Sequence, residues 1–297
     1  MKEIFKRHPK FQHAPDEFDA LPDNLWIRCP RCRELLYSRE HEQAFRVCSK
    51  CKYHFTLLAR ERIDITVDEG SFQERDAGMR SADPLHFRSV GEPYAVKLEQ
   101  YRRQSDTNEA FIYGTATLES EPIVIGVSEF KFCGGTMGAV FGDKVVRAME
   151  LAGETDSPLV LFSSGGGARM QEGVISLMQM AKTVAGLQHF KEIGLPFLSI
   201  MTDNCLGGIT ASYAMLGDVN IAEPGAYIGF AGRRVIEQTM RQKLPQEAAT
   251  AEFLQQHGMA DMVLARAELP AMLARLVRML AAGKKSIRRP ELVAHRA

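Results

Sequence analysis

Four of the six cysteines fall into two Cys-x-x-Cys knuckles, Cys29-Pro30-Arg31-Cys32 and Cys48-Ser49-Lys50-Cys51, with fifteen residues between them. No other feature constrains the fold as much. Each knuckle presents two sulfurs about one tetrahedral edge apart, and two knuckles complete a four-thiolate zinc site. The metal replaces a hydrophobic core that roughly thirty residues cannot build alone. Four cysteines leave no open coordination position, so the expected zinc is structural. Cys133 and Cys205 stand apart, and His54 reads as a surface or packing residue, not a fifth ligand.

The 37 Lys+Arg balance the 37 Asp+Glu. That excludes a uniformly basic nucleic-acid-binding chain, but the zero hides an asymmetry. From Trp26 to Arg60 there are eight Lys+Arg against three Glu, a net of plus five. Trp26, Tyr37, Phe45, Tyr53 and Phe55 interleave with these bases. Either the aromatics cover the small core of the ribbon while the bases are solvated, or the ribbon meets nucleic acid or a phosphate-bearing cofactor. No apolar run approaches the ~18 residues of a membrane span. Residues 1–24 are polar and mixed in charge, carry Pro9, Pro15 and Pro22, and lack the apolar region of a secretory signal. They are expected to be a flexible tail on a cytoplasmic protein.

Beyond the ribbon, strand, glycine turn and helix recur, which indicates an α/β domain. Alternation over residues 110–118 and an apolar strand over 123–127 predict a hairpin around Ser120-Glu121-Pro122. Residues 159–162 read as a buried strand before Gly165-Gly166-Gly167-Ala168-Arg169. The helix expected over 171–190 has Val174, Leu177, Met178, Ala181, Val184 and Leu187 as its core positions. Met170, Met178 and Met180 read as core filling. A strand over 197–201 leads to a second turn at 204–208, then a helix over 209–216. Residues 283–297 form a basic tail.

A Walker loop, a dinucleotide fingerprint, a Gly-x-Ser-x-Gly elbow and a Ser/His/Asp triad are all missing from the sequence. What remains is backbone. Gly166-Gly167-Ala168 and Gly207-Gly208 each offer paired N–H donors, which can hold an oxyanion such as a thioester enolate. Tight packing is the alternative for any one such turn. On the residues alone the chemistry stops there.

Longer stretches carry a family likeness: residues 163–172, beginning Ser163-Ser164-Gly165; residues 176–183, beginning Ser176-Leu177-Met178; and Ile228-Gly229-Phe230-Ala231-Gly232-Arg233-Arg234. Residues 132–138 and 210–218 add to it. With the knuckles, they resemble the carboxyltransferase β subunit of bacterial-type acetyl-CoA carboxylase, over roughly residues 25–282. The resemblance implies a crotonase-like spiral of β-β-α units (residues 59–282) behind a four-cysteine zinc ribbon (25–58). It implies carboxyl transfer from biotin on a biotin carboxyl carrier protein to acetyl-CoA, giving malonyl-CoA for fatty acid synthesis. It also implies an α2β2 assembly with an α subunit, inside a complex whose biotin carboxylase uses ATP.

Carried over by position, Gly207 and Gly208 are the candidates for the enolate oxygen, and Gly166, Gly167 and Ala168 line the same cleft. Arg233 and Arg234 are candidates for CoA phosphates, and Cys29, Cys32, Cys48 and Cys51 for zinc. This chain departs from the family at Asn204-Cys205-Leu206, at Gly165 for a common Ser, and at Lys52 for a Gly, which asks a lysine to take positive φ. A stand-alone crotonase-type hydratase would need an acid at the reacting centre, with Glu129 and Glu172 as candidates.

Overall fold

The computed structural model describes residues 25–88, 91–245 and 247–286. The chain begins with a ribbon: β1 (Trp26–Arg28) pairs antiparallel with β2 (Leu35–Tyr37), followed by the short α1 (Ser38–Gln43). The body then runs α2 (Ala59–Asp64), β3 (Gln73–Arg75), α3 (Tyr94–Ser105), β4 (Phe111–Leu118), β5 (Glu121–Ser128), α4 (Ala139–Glu154), β6 (Leu159–Gly165), α5 (Gly173–Ile193) and β7 (Phe197–Leu206). It continues through β8 (Val219–Ala222), β9 (Ile228–Gly229), α6 (Arg233–Met240), α7 (Ala251–Gln256), β10 (Met262–Val263) and α8 (Leu269–Ser286). The short α1, β3 and β10 are absent from the sequence reading because two to six residues carry too little periodicity. Helix α8 runs on through 283–286, which the sequence assigned to the tail. Residues 1–24 and 287–297 lie outside the described residues.

One sheet organises the body, in the order β10-β8-β7-β6-β5-β4-β3, with β9 paired to the far end of β7. β3, β4 and β5 are antiparallel neighbours, whereas β5, β6, β7, β8 and β10 run parallel. Alternate side chains of the central strands feed two cores. Leu159, Leu161, Phe197 and Met201 face α4 and α5, while Val160, Phe162, Leu198 and Ile200 face α8 and α2. Burial on both faces explains why these strands read as apolar runs. Truncating a residue such as Ile200 to Ala costs about 2–5 kcal/mol.

The β4–β5 hairpin turns through Glu119 (φ 47°) and Ser120 (φ 67°), both left-handed as a two-residue turn requires. Asp68 stabilises it: its carboxylate accepts from the Glu119 N–H (2.9 Å), the Ser120 N–H (2.8 Å) and the Thr117 hydroxyl (2.6 Å).

The ribbon is fastened to the body by a buried ion cluster. Glu223, just past β8, accepts from Arg266 Nε (2.9 Å) and Nη2 (2.9 Å) and pairs with Arg62 Nη1 at 2.7 Å. Arg266 also donates to two ribbon carbonyls, Phe45 O (2.8 Å) and Phe55 O (2.9 Å). His54 is buried in this seam; Nδ1 lies 3.0 Å from Lys52 O, and Nε2 accepts from the Arg266 backbone N–H at 3.2 Å. That pair of partners requires the neutral ring with its proton on Nδ1. His54 therefore packs and orients the ribbon.

The helix expected over 171–190 is present as α5, but most of its expected core positions are not buried. Val174, Leu177, Met178, Ala181 and Val184 are exposed and Met180 is half-buried; only Leu187 is in the core. Met170, expected as filling, is 74% exposed. The buried positions are instead Ser176, Gln179, Thr183, Leu187 and Phe190. Periodicity found a stripe of the right spacing, and that stripe faces outward. Phe230, Val235 and Met240 are exposed as well.

Candidate active site at the paired glycine turns

β6 and β7 are parallel neighbours, and each ends in one of the glycine turns, at the edge where open α/β sheets take ligands. The turns abut. An added side chain on Gly167 would lie 3.2 Å from both Gly207 Cα and Gly208 N. One on Gly208 would lie 3.5 Å from Ala168 N and 2.8 Å from Met180 Sδ. The relation is reciprocal: the bare α-carbon of each turn leaves an amide of the other uncovered. Gly167 (φ 95°) and Gly207 (φ 60°) also hold left-handed conformations that a side chain disfavours.

Not every N–H here is available. Gly166 N–H donates to Gly134 O (3.0 Å), and Gly207 N–H donates to Gly229 O (3.0 Å). Ala168 N and Gly208 N have no acceptor among the described residues. Their directions are set through the carbonyls they share a peptide with, since the two groups of a trans peptide point opposite ways. Gly167 O accepts from Met137 N–H at 2.8 Å, so the Ala168 N–H points away from Met137. Gly207 O accepts from the Ala211 N–H and the Thr210 hydroxyl, each at 2.9 Å, which aims the Gly208 N–H away from that turn. The second turn opens onto a single wide turn of residues 210–214, not the regular helix expected over 209–216. Two fixed donors, one from each strand end, can stabilise negative charge on a carbonyl oxygen.

The acids weighed from sequence do not reach this space as free groups. Glu172 is buried and accepts from Arg169, from the Tyr94 hydroxyl (2.8 Å) and from the Ala139 N–H (2.6 Å) at the start of α4. Glu129 is buried and accepts from the Ala59 (2.8 Å) and Lys131 (2.9 Å) amides; burial pushes its carboxyl up. The sequence reading assigned no role to Arg169, which is wholly buried behind the first turn.

A cleft of about 630 Å³ opens between ribbon and body, lined by Arg31, Tyr53, Asp203, Leu206, Arg233 and Arg234 among others. Arg233 spends its guanidinium on Leu244 O (3.1 Å), Pro245 O (2.8 Å) and Ala248 O (3.2 Å), stapling the following loop. Arg234 is exposed in the cleft. Asp203 accepts from the Tyr227 N–H at 2.9 Å, and burial pushes its carboxyl up.

In the ribbon, Cys29 Sγ lies 3.6 Å from Cys51 Sγ and Cys32 Sγ lies 3.7 Å from Cys48 Sγ, with all four sulfurs within 4.8 Å of one another. Tetrahedral zinc with bonds of about 2.3 Å sets a sulfur–sulfur edge of about 3.8 Å, so the donor set fits. The knuckles share one backbone device. The Arg33 N–H donates to Cys29 O and the Lys52 N–H to Cys48 O, each at 3.0 Å, with Arg33 at φ 63° and Lys52 at φ 59°. The lysine at 52 thus takes the left-handed conformation. Tyr53 and Phe55 pack on the ribbon core, whereas Trp26 is 62% exposed beside Tyr37.

The sequence profile of the carboxyl transferase domain family matches residues 55–287, a stretch that holds the parallel strands and both glycine turns. The acetyl-coenzyme A carboxylase carboxyl transferase subunit beta of Desulforamulus reducens is 50% identical over 283 residues, covering 93% of this chain and 97% of that one. The subunit beta 2 of a Roseiflexus species is 48% identical over 283 residues, covering 95% and 94%. The chain belongs to the acetyl-coenzyme A carboxylase carboxyl transferase subunit beta family. Two solved structures share the fold. The transcarboxylase 12S core with methylmalonyl-coenzyme A bound superposes with a TM-score of 0.62 at 24% identity, over 74% of this chain and 40% of that one. A Pseudomonas malonate decarboxylase hetero-tetramer with malonate gives 0.62 at 23% identity, over 81% and 92%. This chain therefore spans less than half of the transcarboxylase chain.

Proposed function

We propose that this chain is the β half of an acetyl-CoA carboxyl transferase, converting acetyl-CoA to malonyl-CoA. The observation that carries the reading is the reciprocal pair of uncovered amides at Ala168 and Gly208. Carboxybiotin, borne by a carrier protein, is the co-substrate that supplies the carboxyl group and, once decarboxylated, a base. The chain's own task is then to hold charge. The Gly208 N–H receives the thioester oxygen as it gains enolate character, and the Ala168 N–H is the second donor beside it. No general base from this chain is required, in keeping with the committed state of Glu129 and Glu172. Arg234, exposed in the cleft, is placed to meet a CoA phosphate; Arg233 shapes the loop beneath it.

The remaining calls belong to the same proposal. The apolar face of Met170, Val174, Leu177 and Met178 runs from the turns outward and suits an α subunit that completes the site, as in an α2β2 assembly. Zinc on Cys29, Cys32, Cys48 and Cys51 holds the ribbon, and thiolates kept reduced suit a cytoplasmic protein. No helix of the described residues is long and apolar enough to cross a membrane. The product feeds fatty acid synthesis, and the carrier and the ATP-using biotin carboxylase are the expected further partners.

Reconstitution tests the reading. The chain, alone and with an α subunit, is assayed for carboxyl transfer from malonyl-CoA to biotin. Activity only in the pair is expected; activity from the chain alone contradicts a split site, and none from a folded pair contradicts the assignment. A second reading, nucleic-acid binding by the ribbon, draws on exposed Trp26 in a basic module. A salt-dependent affinity for RNA that survives Gly208→Val and is lost in Trp26→Ala supports it.

A further inference from the structure

Arg169 is the largest fully buried side chain described, and all five of its N–H groups have acceptors. Nη2 donates to Glu109 Oε1 (2.5 Å) and Thr136 O (2.6 Å). Nη1 donates to Ser81 Oγ (2.8 Å) and Glu172 Oε1 (3.1 Å), and Nε to Thr136 Oγ1 (3.2 Å). The Phe132 ring lies 5.2 Å from the guanidinium carbon. Two buried acids thus flank one arginine.

Thr136 belongs to the loop that braces the first glycine turn. That loop holds the turn by three backbone bonds: Gly166 N–H to Gly134 O (3.0 Å), Met137 N–H to Gly167 O (2.8 Å) and Arg169 N–H to Met137 O (3.0 Å). The middle bond sets the plane of the Gly167–Ala168 peptide. Arg169 therefore grips, through Thr136, the loop whose Met137 N–H aims the Ala168 N–H. A carboxyl transfer site has no side chain at that donor to adjust, so its direction depends on this bracing.

We infer that Arg169, gripped between Glu109 and Glu172 and bound to Thr136, is a positioning residue that fixes the Ala168 N–H toward the reacting oxygen. The inference rests on the oxyanion reading of the paired turns. It assigns work to an arginine that touches no substrate. Lysine cannot replace it, because a single ammonium cannot span Glu109, Glu172 and Thr136 together.

The test compares three variants in the chain assembled with its α subunit, using malonyl-CoA and free biotin. In Arg169→Lys, kcat is expected to fall by about 30-fold or more, with KM for malonyl-CoA within about threefold. Thr136→Val, which keeps the backbone and loses the Nε partner, should lower kcat by about threefold to tenfold with the same KM. Ala168→Pro removes the donor itself and should lower kcat by about 100-fold or more. If Arg169→Lys does not fold, Thr136→Val decides alone. A loss of melting temperature with kcat unchanged in these two variants, while Ala168→Pro is inactive, overturns the positioning role and leaves the oxyanion reading standing. Full activity in Ala168→Pro overturns both.

Discussion

Two buried ion clusters brace this molecule, and they are built in opposite senses. At the ribbon seam one acid, Glu223, sits between two arginines, Arg62 and Arg266. Behind the first glycine turn one arginine, Arg169, sits between two acids, Glu109 and Glu172. The seam joins modules: Arg266 spends its remaining donors on ribbon carbonyls. The Arg169 cluster instead holds a stretch of backbone. The contrast teaches what a buried charge is suited to in each place. A guanidinium reaches several carbonyls at once, so it fastens a module with little core of its own, or a loop with little side chain of its own.

The largest expected effect breaks the seam. Glu223→Ala leaves two buried guanidinium groups facing each other and should cost about 3–5 kcal/mol by denaturant unfolding. Trypsin should then cut first within residues 25–58, while the body stays resistant. A chelator should reach a similar end by another route, unfolding the ribbon and freeing four titratable thiols, while the body retains its sheet.

Acid probes the same seam. Against the burial that would raise it, Arg62 and Arg266 hold the Glu223 carboxyl at about 2, below its ordinary 4.5. Over that window the unfolded chain binds more protons, so the contribution is complete above about 4.5 and is lost as pH falls through about 2. Burial also holds His54 below its ordinary 6.5, with the nearby Arg266 and Arg62 charges acting in the same direction and Glu223 against them. Its contribution is therefore complete above 6.5 and fades as pH falls below it. His54→Gln should cost about 1 kcal/mol and flatten the dependence of ribbon protection on pH below 6.5, read by hydrogen exchange. The smallest effect separates the paired arginines. Arg234→Ala should raise KM for acetyl-CoA by about threefold to tenfold with stability unchanged, near the worth of one exposed charge-assisted contact. Arg233→Ala should loosen the backbone at Leu244, Pro245 and Ala248, whose carbonyls it holds.

The two regions also differ in how far the sequence discloses them. The zinc site is a spacing pattern, and the knuckles close with four sulfurs at tetrahedral distances. The central strands were legible because both faces are buried and the runs are apolar. The glycine turns were visible as turns. Which amides remain open was not, because Gly166 and Gly207 spend theirs on Gly134 and Gly229, residues 32 and 22 positions away. Arg169 was invisible as a brace for the same reason: its partners Ser81, Glu109 and Thr136 come from three separate segments. The stripe on α5 misled because spacing reports an apolar face without saying whether this chain or another one covers it.

The most direct test of the central claim is the turnover of Gly208→Val in the assembled enzyme. A valine here would press on Met180 and cover the Ala168 amide, with little effect on the cores that hold the fold. Carboxyl transfer between malonyl-CoA and biotin should fall by about 100-fold to 1,000-fold, with unchanged zinc content and assembly. A rate within about threefold of the parent, roughly 0.65 kcal/mol of barrier, contradicts the assignment of the paired turns as the oxyanion site.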